Sequence, residues 1–152
     1  MTRIGLISDT HGLLRPEALA FLHGSDHIVH AGDIGSPDIV ERLGELAPLT
    51  VVRGNIDVAP WAMKIPGWAD ALVAGVALHV LHDIAELESR RAASARVVVC
   101  GHSHQPRIEH RDDHLIINPG SAGPRRFRLP IAVAELRIDD GVLTPRIVEL
   151  PV

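Results

Sequence analysis

The sequence predicts an α/β fold built as one domain, and three observations lead to this prediction. Strand-like apolar runs alternate with helical patterns in the first half, which favours parallel strands joined by helical crossovers. The second half contains mostly strand-like runs separated by turn residues such as Asp139-Asp140-Gly141, which indicates a more antiparallel sheet. The chain has 152 residues and no linker, repeat or low-complexity stretch. We therefore expect residues 1–152 to form a single domain.

Proline and serine mark the helix starts in the first half. Pro16 stands at the start of one predicted helix, and Ser36-Pro37 supplies a cap and a first-turn proline for the other. The predicted order is a strand at 3–8, a helix from 16 to about 23, a strand at 27–30, a helix from 36 to about 46 and a strand at 49–52.

The second half begins with a loop at 59–67 that has no clear period. A hairpin is expected at 71–81, with its turn at Ala74-Gly75. Alanine content and a charged face predict a helix at 84–95. The remaining predicted elements are strands at 97–100, 107–110, 115–118, 131–138 and 143–150.

Composition excludes several functional classes. The formal net charge of −4 argues against a stable nucleic acid complex. No apolar stretch reaches the roughly 18 to 20 residues of a membrane span, and the first residues show no signal-peptide pattern, so a cytoplasmic location is expected. The one cysteine, Cys100, excludes an internal disulfide and a thiolate zinc cluster, and its apolar context predicts a buried core residue.

The main functional signal is a set of metal-binding residue types at the ends of apolar runs. Asp9 and His11 are two residues apart, as are His102 and His104, so both members of each pair can point the same way. The same signal occurs at Asp33 and Asn55, each after a glycine, and at His82. Each residue alone has an ordinary explanation as a turn or surface group, but the ordered set predicts a metal site at the carboxyl ends of strands.

The ligand types narrow the choice of metal. Carboxylate, amide oxygen and imidazole without sulfur suit manganese, iron, zinc, cobalt or nickel. Two ions about 3.5 to 4 Å apart need a bridging carboxylate and can then hold a bridging hydroxide. Asp33 is the natural bridge, because it is the central carboxylate without a histidine two residues away.

These residues resemble the calcineurin-like metallophosphoesterase superfamily, in particular its small single-domain prokaryotic phosphodiesterases. The resemblance runs from Asp9 to Ser121. It implies a two-sheet β-sandwich flanked by helices. It also implies two divalent metal ions, with manganese as the first choice and iron, zinc, nickel or cobalt as alternatives. By this resemblance one ion is held by Asp9, His11, Asp33 and His104, and the other by Asp33, Asn55, His82 and His102.

The implied reaction is phosphoester hydrolysis by in-line attack of a metal-bridging hydroxide. Asp33, Asn55 and His82 are the predicted catalytic residues. His30 and Asp57 are candidates for orienting the ligands, with hydrogen-bonded buried side chains as the alternative. Larger family members often carry a histidine after the metal-binding asparagine, where this chain has Ile56, so the source of the leaving-group proton stays open. Close relatives often have glycine where this chain has Asp83, which leaves the local turn geometry open.

The Asn118-Pro119-Gly120-Ser121 turn is expected to shape the floor of the site without supplying a ligand. After it come Arg125, Arg126 and Arg128, where an arginine can bind a substrate phosphate; a solvated surface cluster is the alternative. Trp61, Met63 and Trp68 are candidates for a substrate pocket, a subunit contact or an ordinary core.

The sequence thus predicts a dinuclear metal-dependent phosphodiesterase that acts on a small or nucleotide-like phosphoester. Monoesterase activity and a homo-oligomer are left open. One alternative is a non-catalytic protein-binding scaffold on the same fold, as in the retromer scaffold subunit. Another is a dinuclear hydrolase for an amide or thioester bond.

Overall fold

The computed structural model describes all 152 residues, Met1–Val152, as ten strands, two α-helices and two short 3₁₀-helices. The strands are β1 (Thr2–Ile7), β2 (His27–His30), β3 (Leu49–Val51), β4 (Trp68–Val73), β5 (Val76–Leu81), β6 (Val97–Val99), β7 (Arg107–Arg111), β8 (His114–Asn118), β9 (Ala132–Asp139) and β10 (Val142–Glu149). The helices are α1 (Pro16–Leu22) and α2 (Pro37–Leu46), and the 3₁₀-helices are Pro60–Lys64 and Ile84–Glu86.

The strands form two mixed sheets of five strands each. The first has the order β10-β9-β1-β2-β3, in which β1, β2 and β3 are parallel and β9 and β10 are antiparallel. The second has the order β4-β5-β6-β8-β7, in which β5, β6 and β8 are parallel. This arrangement is the two-sheet sandwich that the resemblance implies.

The main core lies between the sheets, and a second one lies under the helices. Leu6 and Val29 from the first sheet share a fully buried cluster with Val80 and Val99 from the second. On the outer side of the first sheet, α1 and α2 pack over a second cluster that includes Ile28. Burying each such side chain stabilises the fold by about 1.5 to 3 kcal/mol before the entropy cost, so the sheets are held firmly face to face.

The helix predicted at 84–95 is wrong. Only Ile84–Glu86 is helical, because Leu87 has an extended backbone with φ −61° and ψ 123°, and turns follow it. Ala92 and Ala95 are the buried residues of the stretch after Leu87, and two alanines offer too small an apolar face to stabilise a helix. The longest helix, α2, has ten residues, and no helix is long and apolar enough to cross a membrane.

The segment predicted as a loop at 59–67 contains the 3₁₀-helix Pro60–Lys64, and β4 begins at Trp68, three residues before the predicted hairpin. The other element predictions hold with small shifts of their ends. The turn of the predicted hairpin lies at Ala74-Gly75, between β4 and β5. Ser36 occupies the position before α2, but its side chain makes no capping hydrogen bond. Cys100 is buried beside Val98 on the outer side of the second sheet, and burial raises the pKa of its thiol to about 12.

Candidate metal centre

The strand register brings the predicted ligands to one edge of the sandwich. Ile7 at the end of β1 is level with His30 at the end of β2, and His30 is level with Val51 in β3. In the second sheet Val80 is level with Val99, so the loops after β5 and β6 also leave side by side. Because the carboxyl ends of parallel strands meet at one edge, all five loops that carry predicted ligands converge there.

Asp9, His11 and His104 form the inner group of donors. The Nε2 atom of His104 lies 3.3 Å from the Oδ1 atom of Asp9 and 3.3 Å from the Nε2 atom of His11. Two donors of one divalent ion lie about 3 to 3.4 Å apart when each is about 2.1 Å from the ion. The third distance, from His11 Nε2 to Asp9 Oδ1, is 3.8 Å. Two of the three spacings thus match a shared metal ion, and the third is about 0.4 Å longer than that range.

Asp33 connects this inner group to His82. Its Oδ2 atom lies 3.5 Å from His11 Nε2 and 3.2 Å from His82 Nε2. The Oδ1 atom of Asp9 also lies 3.9 Å from His82 Nε2, so the groups Asp9-His11-His104 and Asp9-Asp33-His82 overlap. A carboxylate that faces histidines on both sides has the geometry that a bridging ligand needs.

The tautomer of His82 is set by a backbone contact. Its Nδ1 atom donates to the carbonyl of Ala31 at 2.7 Å, which leaves Nε2 as the atom that faces the carboxylates. Metal-bound histidines are commonly oriented by such a hydrogen bond on the other ring nitrogen. A neutral Nε2 lone pair beside a carboxylate is repulsive unless a proton or a metal ion lies between them.

Asn55 and His102 form the outer and more open part of the centre. The Nδ1 atom of His102 lies 3.2 Å from the Oδ1 atom of Asn55. The ring of His102 meets the ring of His82 edge-on, with 5.2 Å between the ring centroids. Asn55 and His102 are exposed, whereas Asp9, Asp33, His82 and His104 are buried.

Three side-chain atoms of the ligand residues are buried without any hydrogen-bond partner: Asp9 Oδ1, His82 Nε2 and His104 Nδ1. The first two face the shared space described above. Leaving such a group unpaired costs about 1 to 3 kcal/mol, and more when it is charged. A cation in this space would satisfy both atoms, so the donor set fits a divalent metal.

Backbone strain is also concentrated at the centre. Nine residues other than glycine have positive φ, and five of these are predicted ligands. They are Asp9 (55°), His11 (46°), Asp33 (56°), His102 (72°) and His104 (63°). Non-glycine residues held in this region cost about 1 to 3 kcal/mol each, and they cluster at functional sites.

Two glycines allow the loops to approach the carboxylates closely. A Cβ atom on Gly54 would clash with the carboxylate and backbone nitrogen of Asp33, and one on Gly101 would clash with Ser8 and with the Asp9 carboxylate. No side chain fits at either position. The glycines before Asn55 and His102 are therefore required by the packing of the centre.

His30 is buried and links the two carboxylate loops. The amide of Gly32 donates to its Nδ1 atom at 3.1 Å, so Nε2 carries the proton and donates to Thr10 Oγ1 at 3.0 Å. Thr10 in turn donates to the carbonyl of Ile34 at 2.8 Å. Complete burial lowers the pKa of His30 to about 4. The neutral ring thus holds the loop of Asp9 and His11 against the loop of Asp33.

Asp57 ties the asparagine loop to the Asp33 loop. Its carboxylate accepts hydrogen bonds from three backbone amides, those of Ile34 at 3.0 Å, Gly35 at 3.0 Å and Gly54 at 2.8 Å. Asp57 is buried. Asp57 therefore acts on backbone amides, whereas His30 bonds one amide and the Thr10 hydroxyl, and neither forms a hydrogen bond with a ligand side chain.

The two central carboxylates are held in the ionised form. Burial opposes ionisation of Asp9, but the hydrogen bond from Ser8 at 2.7 Å and the neighbouring histidines lower its pKa below the ordinary value. Burial likewise opposes ionisation of Asp33, and the interaction with His82 lowers its pKa. Burial lowers the pKa of His104, which favours the neutral ring that a metal needs.

A cleft with a volume of about 290 Å³ opens beside the outer ligands. Arg53 and Glu86 line it together with Asn55, His82 and His102. Arg53 also donates to the carbonyl of Ile65 at 2.9 Å, which fixes its guanidinium near the cleft. Arg53 is not among the residues predicted from the sequence. Its position immediately before Gly54-Asn55, after a predicted strand, indicates that it lies near the metal ligands.

The arginines after the Asn118–Ser121 turn lie elsewhere. Arg125, Arg126 and Arg128 are exposed and do not line this cleft. Arg125 donates to the carbonyl of Leu129 at 3.1 Å. The charge of Arg126 adds to the effect of burial in lowering the pKa of His104.

The turn itself forms part of the floor, as expected. Ser121 Oγ donates to the carbonyl of Asp9 at 2.9 Å, and Asn118 Nδ2 donates to the carbonyl of Gly101 at 2.9 Å. Asp83 makes a local turn, because its Oδ1 atom accepts from the amide of Ala85 at 3.0 Å. This contact resolves the turn geometry that the sequence left open.

Comparisons with known proteins show the family of this chain. The profile of the calcineurin-like phosphoesterase superfamily domain matches residues 2–141. A probable metallophosphoesterase of Methanothermobacter thermautotrophicus is 35% identical over 159 residues, which cover 95% of this chain and 91% of that protein. Two solved structures share the fold.

The first of these structures is an archaeal phosphodiesterase with a TM-score of 0.81 and 23% identity, and the match covers 98% of this chain and 100% of that one. The second is the vacuolar protein sorting 29 protein of Cryptosporidium parvum, with a TM-score of 0.77, 19% identity and coverage of 98% and 97%. The family match and the 35% identical relative, rather than the fold alone, settle the assignment. The chain belongs to the calcineurin-like phosphoesterase superfamily.

Proposed function

We propose that this protein is a dinuclear metal-dependent phosphodiesterase of the cytoplasm that hydrolyses small or nucleotide-like phosphoesters. The observation that carries the proposal is the convergence of two buried carboxylates and three histidine Nε2 atoms, which form two overlapping groups of donors. Two neighbouring ions must share a ligand. The two groups have Asp9 in common, and we assign the bridging role to Asp33, whose Oδ2 atom faces a histidine of each group. The membership of a phosphoesterase family supplies the reaction type.

Eight donor positions would hold the two ions, with Asp33 counted for both. The residues of the first ion are Asp9, His11, Asp33 and His104, and those of the second are Asp33, Asn55, His82 and His102. We propose manganese, with iron, zinc, nickel or cobalt as alternatives that the same donors accept. When bound, such ions neutralise the charge on a phosphate and supply a hydroxide nucleophile at neutral pH.

The catalytic roles we propose for the protein side chains follow from their positions. Asp33 would connect the two parts of the centre, since its Oδ2 atom faces both His11 and His82. Asn55 and His82 line the cleft, where they would position the phosphate for in-line attack. Ile56 has no ionisable group, so a leaving group would take its proton from water or from another side chain, or leave without one.

Arginines near the centre favour phosphate over an amide or thioester substrate. Arg53 lines the cleft beside Asn55, and the charge of Arg126 adds to burial in lowering the pKa of His104. A guanidinium binds phosphate oxygens bidentately and does so in any protonation state of the substrate. Of Arg125 and Arg126, the two predicted to bind substrate, Arg126 is better placed, because Arg125 is engaged with Leu129.

A non-catalytic scaffold is the second candidate, and the fold shared with a vacuolar protein sorting 29 protein favours it. A protein that acts only as a scaffold does not require metal-ligand atoms that are buried without a hydrogen-bond partner. Asp9 Oδ1 and His82 Nε2 are such donors, and the strained ligand loops add a further cost. Both observations support the enzyme over the scaffold.

Turnover of bis-p-nitrophenyl phosphate by Mn²⁺-loaded protein tests the proposal, with p-nitrophenyl phosphate as the monoester comparison. We expect turnover of the diester that exceeds turnover of the monoester. His82→Ala should lower kcat/KM by more than about 100-fold, since even residues that only orient ligands cost about 10- to 100-fold. His110→Ala, on the exposed face of β7, is the matched control and should leave the rate unchanged.

Two results would count against the enzyme. Absence of turnover in protein shown to contain metal would support the scaffold. Turnover that persists in His82→Ala would place the chemistry outside this centre.

A further inference from the structure

The metal cleft continues into a second cavity on the outer side of the second sheet. The cleft beside His82 has a volume of about 290 Å³, and the adjoining cavity has about 380 Å³. They share Gly67 and Glu86, so together they form one groove, which we call the Trp68 groove. Its far end is lined by Trp68 and Arg91.

The sheet register fixes how far Trp68 lies from the metal centre. Trp68 pairs with Leu81 across the β4–β5 ladder, and Leu81 directly precedes His82. Directly paired residues have Cβ atoms about 4.5 to 5.5 Å apart. The pairing therefore places Trp68 beside the residue that precedes the ligand His82, at the end of β5 that leads into the metal centre.

Trp68 offers part of its indole ring to this groove. It is 40% exposed, and its ring also packs against the ring of His79, with 5.6 Å between the centroids. The guanidinium carbon of Arg91 lies 4.7 Å from the centroid of the indole ring. Arg91 is itself exposed and is held only by an exposed ion pair with Glu88 at 3.3 Å, so a planar ligand can displace it or stack beside it.

The protein side chains give the groove no excess of positive charge. Two arginines, Arg53 and Arg91, line it together with three carboxylates, those of Asp83, Glu86 and Glu88. The anionic part of a substrate is therefore expected at the metal ions, and the far end, where two glutamates accompany Arg91, favours a neutral group. Stacking on an aromatic side chain binds any nucleobase, and carboxylates can accept hydrogen bonds from its amino and imino groups.

We propose that the Trp68 groove holds the nucleoside of a nucleotide-like substrate, with its base stacked on Trp68. This inference rests on the proposed function, because it assumes that the phosphate occupies the metal centre. Trp68 is then a specificity-determining residue that separates nucleotide-like esters from esters with small aliphatic groups.

Binding of two phosphates that differ only in the base tests the proposal without any turnover. The probes are adenosine 5′-monophosphate and ribose 5-phosphate, titrated calorimetrically into Mn²⁺-loaded protein. We expect the nucleotide to bind at least about tenfold more tightly, the scale of one stacked base. Trp68→Ala should make the two affinities equal.

Gly67→Leu provides a second variant that does not remove any packed side chain. A Cβ atom on Gly67 meets nothing within 4 Å, so leucine would block the middle of the groove without straining the fold. It should also abolish the preference for the nucleotide. Gly44→Leu on the exposed face of α2 is the matched control, since a Cβ atom there also meets nothing, and it should keep the preference.

Equal affinities in the unchanged protein, or a preference that survives both Trp68→Ala and Gly67→Leu, would overturn the inference. If bis-p-nitrophenyl phosphate is hydrolysed but neither probe shows base-dependent binding, the inference fails and the proposed function stands. If base-dependent binding is found in protein without any hydrolytic activity, the inference stands and the proposed function fails.

Discussion

The Nε2 atom of His82 lies 3.2 Å from the Oδ2 atom of Asp33, although the two residues belong to different sheets. Asp33 follows β2 in the first sheet, and His82 follows β5 in the second. Neither sheet alone completes a set of donors. The centre therefore depends on the packing of the sandwich, which places the two sets of strand ends at the same edge.

Asp57→Asn should weaken the centre through the backbone. The carboxylate accepts from three amides that join the Asp33 and Asn55 loops, and an amide side chain would direct a donor at one of them. We expect loss of about 1 to 3 kcal/mol in the unfolding free energy of the metal-free protein. We also expect metal affinity to fall by about 10- to 100-fold.

Thermal denaturation and metal titration measure these two effects. Asp38→Asn is the control, because Asp38 is an exposed residue of α2 whose ion pair with Arg42 spans 3.8 Å. An Asp57→Asn variant with the stability and metal affinity of the Asp38→Asn variant would show that the three hydrogen bonds are unimportant.

Ile56→His should supply the missing proton donor. Ile56 is 41% exposed, and its amide donates to Asp33 Oδ1 at 3.1 Å, so a histidine there would lie beside the centre in contact with water. For diesters with poor leaving groups, we expect kcat/KM to rise by about tenfold, less than the about 10²- to 10⁴-fold of an evolved general acid.

In this variant the activity should fall at high pH, because the histidine then deprotonates and can no longer donate a proton. Val58→His, two residues away and 75% exposed, is the control. Identical pH–rate profiles for the two variants and the unchanged protein would show that position 56 is remote from the leaving group.

Glu135 makes a pH-dependent contribution to stability far from the metal centre. Its side chain is 2% exposed and meets Arg3 at 2.6 Å, Arg146 at 3.0 Å and Arg137 at 3.1 Å. Burial opposes ionisation, but the hydrogen bonds from Arg3 and Arg146 lower the pKa of Glu135 below its ordinary value. The folded protein therefore binds this proton less readily than the unfolded chain does.

A lowered pKa in the folded state means that the stabilisation is present above the ordinary glutamate pKa and is lost as the pH falls through the lowered one. Glu135→Gln should cost about 1 to 3 kcal/mol of unfolding free energy at pH 7. The difference from the unchanged protein should shrink below about pH 4. Urea denaturation across this range measures it, with the exposed Glu149→Gln as control, and a difference independent of pH would refute the ionic explanation.

Much of the site follows from sequence because its residues stand at strand ends. Spacing identified Asp9 with His11 and His102 with His104, and the glycine before Asn55 marked a close approach that the structure explains by the position of Asp33. The hairpin at Ala74-Gly75 was also predictable, since its turn signal is local. These features depend on residues that are close in the sequence, so they can be predicted without knowing the tertiary contacts.

The failures have a common cause in tertiary contacts. Alanine content predicted a helix at 84–95, but the segment has little apolar surface to bury there and instead extends along the Trp68 groove. Arg53 was missed, and Arg125 was overvalued, because the direction of an arginine side chain depends on which carbonyl holds it. Those carbonyls belong to Ile65 and Leu129, and neither contact has a sequence signal.

The most direct test of the account is the metal content of the unchanged protein and of Asp33→Asn, measured by elemental analysis after Mn²⁺ loading and gel filtration. We predict two ions per chain in the unchanged protein and at most one in Asp33→Asn, with kcat/KM for the diester lowered by more than about 100-fold. Fewer than two ions in the unchanged protein, or two ions retained in Asp33→Asn, would contradict a centre built around a shared Asp33.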